Sequence, residues 1–211
     1  MNRFSDFIKR RGGLLDKFIS GKIALNEYIQ RTRSNGVSFY IHYWGVMPQH
    51  YNNLPHKHSF FEVCYVLEGR GTYIDQGCTY QIEENTMFLS RPEVLHQIKS
   101  DTGLFLLYVG FELDESESSE KWVTIIEEAK QCSEVVIDVK EDEAAPLMWK
   151  SLLIQAEKSE SALFEEILSN LAHSLILLLI QNFVVTSNYH NQKSVQKKSS
   201  LILTLAKLYI K

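Results

Sequence analysis

Pro55-His56-Lys57-His58-Ser59-Phe60-Phe61-Glu62-Val63-Cys64-Tyr65-Val66-Leu67-Glu68-Gly69 is the stretch on which the reading of this chain turns. From Phe60 to Leu67 it is aromatic and β-branched, and Gly69 closes it, which is the composition of a strand. Side chains two apart in extended chain share a face, so His56, His58 and Glu62 fall on one side. Phe61, Val63, Tyr65 and Leu67 fall on the other side, which is apolar and needs a cover. His-x-His sets two imidazoles about 7 Å apart on one face, close enough to converge on an ion, with Glu62 four residues further on. Histidine nitrogens with a carboxylate are ligands for zinc, iron, manganese, nickel or copper. His96, shortly after Arg91-Pro92 on a later strand, is the candidate fourth member.

With 211 residues, 45% hydrophobic and 23% charged, the chain can bury a sizeable core and is globular. A net charge of −4 gives no basic surface for nucleic acid. The start, Met1 to Asp6, has no apolar core of a signal peptide, and the run Ser174 to Ile180 is far short of the roughly 20 residues of a spanning helix. Cys64, Cys78 and Cys132 are odd in number and lack Cys-x-x-Cys spacing, so they read as reduced thiols in a cytoplasm.

Residues 3 to 33 carry apolar side chains at three- and four-residue steps (Phe4, Phe7, Ile8, Leu14, Leu15, Phe18, Leu25, Tyr28, Ile29), which predicts helix, punctuated at Gly12-Gly13 and Gly21. Lys9, Arg10 and Arg11 read as a solvated helix face. After Asn35-Gly36 the pattern turns to β. Val37 to Met47 alternates Ser38, Tyr40, His42 and Trp44 against Phe39, Ile41 and Tyr43. A hairpin is predicted at Gln76-Gly77, between Gly71–Asp75 and Cys78–Ile82, and further strands at Thr86–Ser90, Val94–Lys99 and Gly103–Leu113. The last of these is apolar on both faces, so its outer side must pack on helices or a second subunit. Regular short strands of this kind suggest a sandwich or barrel. Beyond an acidic, serine-rich connection at 114–120 come a helix at Trp122–Ala129, a strand at Val135–Val139 and a helix from Pro146 towards Ala156. A long helix follows at Leu163–Val184, apolar nearly all round. Leu163, Ile167, Leu171, Leu175 and Leu178 form its dimerisation stripe, and His173 reads as an interface or core histidine. A polar linker at 186–198 and a final helix at 199–210 complete the chain.

His56-x-His58-x3-Glu62-x6-Gly69 resembles the first cupin motif, and His96 falls where the second motif supplies its histidine. His50 stands in place of the glycine that opens the first motif; Asn85, Glu93 and Ser100 replace residues of the second. The wider pattern, Pro-His-x-His-Ser-Phe-Phe-Glu-Val-x-Tyr-Val-Leu-Glu-Gly-x-Gly and then Phe-Leu-Ser-Arg-Pro-x-Val-x-His, a strand and a set of helices, is similar to the N-terminal half of AraC-type transcription regulators. The resemblance covers roughly residues 37 to 211, and 201–211 is similar to the helix that opens the family's DNA-binding half.

The resemblance implies an α+β fold: a double-stranded β-helix (jelly-roll cupin) barrel flanked by N-terminal helices and followed by a helical dimerisation region. The expected divisions are an N-terminal helical segment at 1–36, a cupin sensor barrel at 37–140, dimer helices at 141–187, and a linker with the start of a DNA-binding domain at 188–211. It further implies a cytoplasmic, non-enzymatic homodimer that senses a small molecule, such as a sugar, and reaches DNA only through a helix-turn-helix domain outside this chain. The expected effector pocket is Tyr40, His42, Trp44, His56, His58, Glu62 and His96. No cofactor is required on this reading, although His56, His58, Glu62 and His96 could hold a divalent metal such as Zn, Ni, Mn or Fe. The alternative is a stand-alone metal-dependent cupin enzyme, a dioxygenase or isomerase, but no second acid or base is identifiable for catalysis.

Overall fold

The structure is a computed structural model that describes residues 3–34, 36–158 and 162–184, with side chains from residue 13. The expected linker and last helix (186–210) lie outside what is described, as do the side chains of the basic triplet Lys9-Arg10-Arg11.

Seven strands pair antiparallel: β1 (Arg31–Ser34), β2 (Val37–Asn52), β3 (Phe61–Asp75), β4 (Cys78–Glu83), β5 (Thr86–Ser90), β6 (His96–Leu113) and β7 (Val136–Asp138). Their order is β1-β2-β6-β3-β5-β7, with β4 on β3. β3 and β6 are long because each bends and serves two layers. The first half of β3 (Glu62 to Tyr65) lies between β5 and the end of β6; its second half (Arg70 to Asp75) lies between β4 and the start of β6. At the bend the backbones approach too closely for side chains. A Cβ on Gly69, whose φ is +96°, would lie 2.3 Å from the Gly103 carbonyl oxygen, and one on Gly71 would lie 2.3 Å from that of Lys99. The segments expected at Val94–Lys99 and Gly103–Leu113 are thus one bent strand.

The curled sheet has two apolar faces. Cys64, Val66, Tyr73, Ile82, Phe88, Ile98, Leu104 and Leu106 pack inside the curl. Phe61, Val63, Tyr65, Leu67, Leu107, Val109 and Phe111 face outward and share one core with the helices. These helices are α1 (Arg3–Tyr28), α2 (Glu120–Lys130), α3 (Ala144–Ala156) and α4 (Phe164–Val184). The cover that Phe61 to Leu67 called for is therefore helical. α1 and α3 touch at Gly21, where a Cβ would lie 2.1 Å from the Leu153 carbonyl oxygen.

Two expectations are corrected here. Helix was expected through residue 33, but α1 ends at Tyr28 and residues 31–34 form β1. Pairing with β2 removes Thr32 from solvent, and ion pairs from Arg31 to Asp114 and from Arg33 to Glu117 fix the strand. The second concerns α4, which is long and apolar enough to cross a membrane but turns one side onto the sheet. Leu168, Ala172, Leu175, Ile176, Leu179 and Phe183 are buried in the chain's own core. Leu175 therefore belongs to that core and not to an outward stripe, because a helix that covers a sheet cannot present its whole circumference to a partner. Leu163 is exposed, and Ile167, Leu171 and Leu178 are half-buried. His173 is buried, with Nδ1 3.1 Å from Thr32 Oγ1, and burial lowers its pKa.

Candidate functional site

His56, His58 and His96 meet at one end of the curl. Between His56 and His96 a pair of backbone hydrogen bonds (3.0 and 2.9 Å) carries residues 53–56 alongside the start of β6. His58 follows in an irregular segment that leads into β3. Convergence thus comes from a corner in the chain and not from the continuous strand that the His-x-His spacing suggested. One ring nitrogen from each histidine lies within 4.8 Å of the others. The rings of His56 and His96 are 4.4 Å apart, those of His58 and His96 4.8 Å.

Each of the three imidazoles is oriented in the same way. His56 Nδ1 is 2.9 Å from the Leu54 carbonyl oxygen, His58 Nδ1 2.7 Å from that of Phe60, and His96 Nδ1 2.9 Å from that of Val94. A carbonyl only accepts, so in each neutral ring Nδ1 carries the proton and Nε2 keeps its lone pair. The Nε2 atoms of His58 and His96 are buried and have no hydrogen-bond partner. Unsatisfied buried nitrogens are costly, and burial holds both rings neutral: the His58 pKa is lowered and that of His96 falls to about 4. Backbone carbonyls fixing Nδ1 while Nε2 points into a shared space is the outer-shell arrangement of histidines that ligate metals. The donor set and the two orphaned nitrogens fit a divalent transition ion. His56, the exposed member, lies on the solvent side.

Glu62 stands one step back from the trio. One carboxylate oxygen is 4.0 Å from His58 Nε2, and the other accepts a 2.7 Å hydrogen bond from the Tyr43 hydroxyl. Burial, and then the charge of Glu62, pushes the Tyr43 pKa up, so the phenol stays protonated and donates.

The remaining expected pocket residues are elsewhere. The register of β2 against β6 slips between Ile41 and Tyr43, placing a bulge at His42. A bulge reverses the alternation, so Tyr43 rather than His42 joins Glu62. Trp44 is buried on the other side, where its indole N–H donates to the Ile29 carbonyl (3.1 Å). Tyr40 is exposed beneath the Arg31 guanidinium, 4.9 Å from its ring. His42 lies 3.3 Å from Glu112. Tyr40, His42 and Trp44 line a separate open cleft of about 430 Å³ between the end of α1 and β2, with Asn26, Gln30 and Glu112. The expected seven-residue pocket is thus divided into the histidine site with Glu62 and this second cleft.

Sequence reading missed Tyr43, assigned to the wrong face, and His50, noticed only as a substitute for glycine. His50 pairs with inward-facing Leu104, its Nε2 is buried without a partner, and burial and the His56 charge lower its pKa. No sequence signal marks the bulge that exposes Tyr43 to Glu62.

A curled antiparallel barrel with a histidine-lined mouth, backed by helices, is a cupin-type α+β ligand-binding fold. The chain belongs to the AraC-like ligand binding domain family, whose family model matches residues 36–173. It is 50% identical over 197 residues to the Uncharacterized HTH-type transcriptional regulator YfiF of Bacillus subtilis (strain 168); the match covers 93% of this chain and 63% of that protein's length. Among solved structures it is similar to an RmlC-like cupin from Shewanella frigidimarina NCIMB 400 (19% identity, TM-score 0.30, 43% of this chain and 89% of that one). It is also similar to the cupin domain of Schizosaccharomyces pombe Cnp3 (16% identity, TM-score 0.32, 40% of this chain and 69% of that one).

Proposed function

We propose that this chain is the effector-sensing and dimerisation part of a cytoplasmic AraC-type transcription regulator, non-enzymatic, whose barrel mouth binds its signal through His56, His58 and His96 with a divalent transition ion. The carrying observation is that Nδ1 of all three rings is anchored to backbone carbonyls while the buried Nε2 atoms of His58 and His96 have no hydrogen-bond partner. When bound there, the ion would act as a Lewis acid towards an oxygen or nitrogen of a small effector, a sugar among the candidates. His58 and His96 would hold the ion from the buried side, Glu62 and Tyr43 border the site, and exposed His56 would complete it on the solvent side. The likeness to an HTH-type regulator supports contact with DNA through a helix-turn-helix domain, and the half-buried row Ile167, Leu171 and Leu178, at the edge of the chain's own core, supports a homodimer. A ligand that favours one arrangement of barrel and helices shifts a population, and so alters how two DNA-binding domains are presented.

Titration of metal-free protein with Co²⁺, followed by visible absorption, tests the site. One equivalent bound per chain, with affinity at least about 100-fold weaker in His58→Ala, is the expected result. A chain that takes up no Co²⁺, or binds it equally well as His58→Ala, contradicts the reading. The metal-dependent enzyme alternative rests on the same trio with Glu62, which Tyr43 engages among the described residues.

A further inference from the structure

Phe60 makes several contacts at once. Its carbonyl oxygen receives the His58 Nδ1 hydrogen at 2.7 Å. Its ring lies flat against the His58 ring, centroids 4.3 Å apart and planes 4° from parallel. The ring is also stacked on His42, at 4.0 Å and 19°. Tyr43 meets it edge-on at 5.6 Å. Room for this ring exists because residue 110 is glycine: a Cβ there would lie 2.9 Å from Phe60 Cε2 and 2.9 Å from Tyr43 Cζ. His42, at the far end of the stack, is the residue that the β2 bulge projects, and it pairs with Glu112 in the cleft beside the end of α1. That cleft has a fixed wall. The Asn26 amide bonds both the N–H and the C=O of Trp44 (3.0 and 2.8 Å), so α1 and β2 move together.

We propose that the Phe60 ring is a positioning group for His58, fixing its plane while the backbone carbonyl of the same residue sets its tautomer, and that the ring's second face carries the state of the histidine site to the His42–Glu112 pair and so to the junction of α1 with β2. This rests on the reading of the histidines as an ion site. A ring confined on both faces cannot reorient without moving its neighbours, so a change at His58 on binding is felt at His42. By linkage, a change at the cleft alters affinity at the histidines by the same factor.

The test uses the whole chain in three measurements. Co²⁺ titration of wild type, Phe60→Leu, Phe60→Tyr and His42→Ala reads affinity. Histidine side-chain ¹⁵N spectra of the metal-free proteins read the His58 tautomer. The same spectra with and without Zn²⁺ read the response of His42. Phe60→Leu, which keeps the carbonyl but removes the stacked ring, is expected to weaken Co²⁺ roughly 10-fold, the low end of the effect of disturbing an outer shell. It leaves the His58 tautomer unchanged, because leucine keeps the backbone carbonyl at 60, and abolishes the Zn²⁺-induced shift of His42. Phe60→Tyr, which keeps the ring, stays within about threefold of wild type, while His42→Ala weakens binding in the same direction by less. If wild type binds no Co²⁺, the ion-site reading falls and this inference with it. If wild type binds but Phe60→Leu binds equally well, or His42 ignores Zn²⁺ in the wild type, only the coupling is overturned. Should Phe60→Leu fail to fold, unchanged affinity in His42→Ala is the overturning result.

Discussion

Tyr43 and Glu62 are the pair on which the wall of the site rests, because a carboxylate beside three imidazoles must be held away from them if they are to stay free for a ligand. The Tyr43 hydroxyl donates to Glu62 at 2.7 Å, the Cys64 thiol lies against the same carboxylate, and that carboxylate is largely buried. Tyr43→Phe should therefore cost about 1.5–3 kcal/mol, the range for hydrogen bonds to charged groups, read as a lower urea midpoint with unchanged slope. An unchanged midpoint would show that Glu62 is satisfied by other means. The histidines were legible in the sequence because His56-x-His58 and Glu62 carry their chemistry in their spacing. Tyr43 was not, since its face depends on one extra residue at His42 that period-two counting cannot detect.

Helix α1 is joined to α3 where Gly21 lets the backbones touch, so Gly21→Ala must push them apart by more than an ångström. A loss of about 1–3 kcal/mol, typical of overpacking, is expected in thermal or urea unfolding; wild-type stability would mean that α1 can lift off the body freely. On the proposed reading α4 would divide two roles along its circumference, core on one side and assembly on the other. Leu175→Ala should destabilise the monomer fold by about 2–5 kcal/mol, since Leu175 is wholly buried in the chain's own core. Leu171→Gln with Leu178→Gln, at half-buried positions on the edge of that core, should cost the fold less than Leu175→Ala and turn the proposed dimer into a monomer by sedimentation. The opposite pairing of outcomes, with Leu175→Ala acting on assembly and the double variant on stability, would reverse the assignment. The sequence marked α4 as helix but could not divide its stripe, because a helix apolar nearly all round reads alike towards a sheet and towards a second chain. The first strand was hidden for a related reason: Arg31 to Ser34 continues the helical spacing and becomes β only through its partners on β2 and at Asp114 and Glu117.

At the scale of the whole molecule, four histidines (His50, His58, His96 and His173) are held below their ordinary pKa, chiefly by burial. The unfolded chain then binds more protons than the folded one below pH about 6.5, so stability is greatest above that value and is lost as pH falls. For His96 the loss continues to about pH 4. Asp75, raised by burial, acts in the opposite sense nearer the carboxylate range. Urea unfolding of metal-free protein at pH 7.5, 6 and 5 should show falling stability; a flat or rising profile would contradict the buried, neutral state of these rings. Most of the architecture follows from the period-two and helical patterns, whereas the bend that lets β3 and β6 serve two layers depends on close approaches at Gly69 and Gly71 that no local pattern announces. The most direct test of the histidine mouth is X-ray absorption at the zinc edge on protein loaded with one equivalent of Zn²⁺. The account predicts three imidazole nitrogens at about 2.0–2.1 Å completed by oxygen. A sphere containing sulfur, or fewer than two imidazoles, would contradict it.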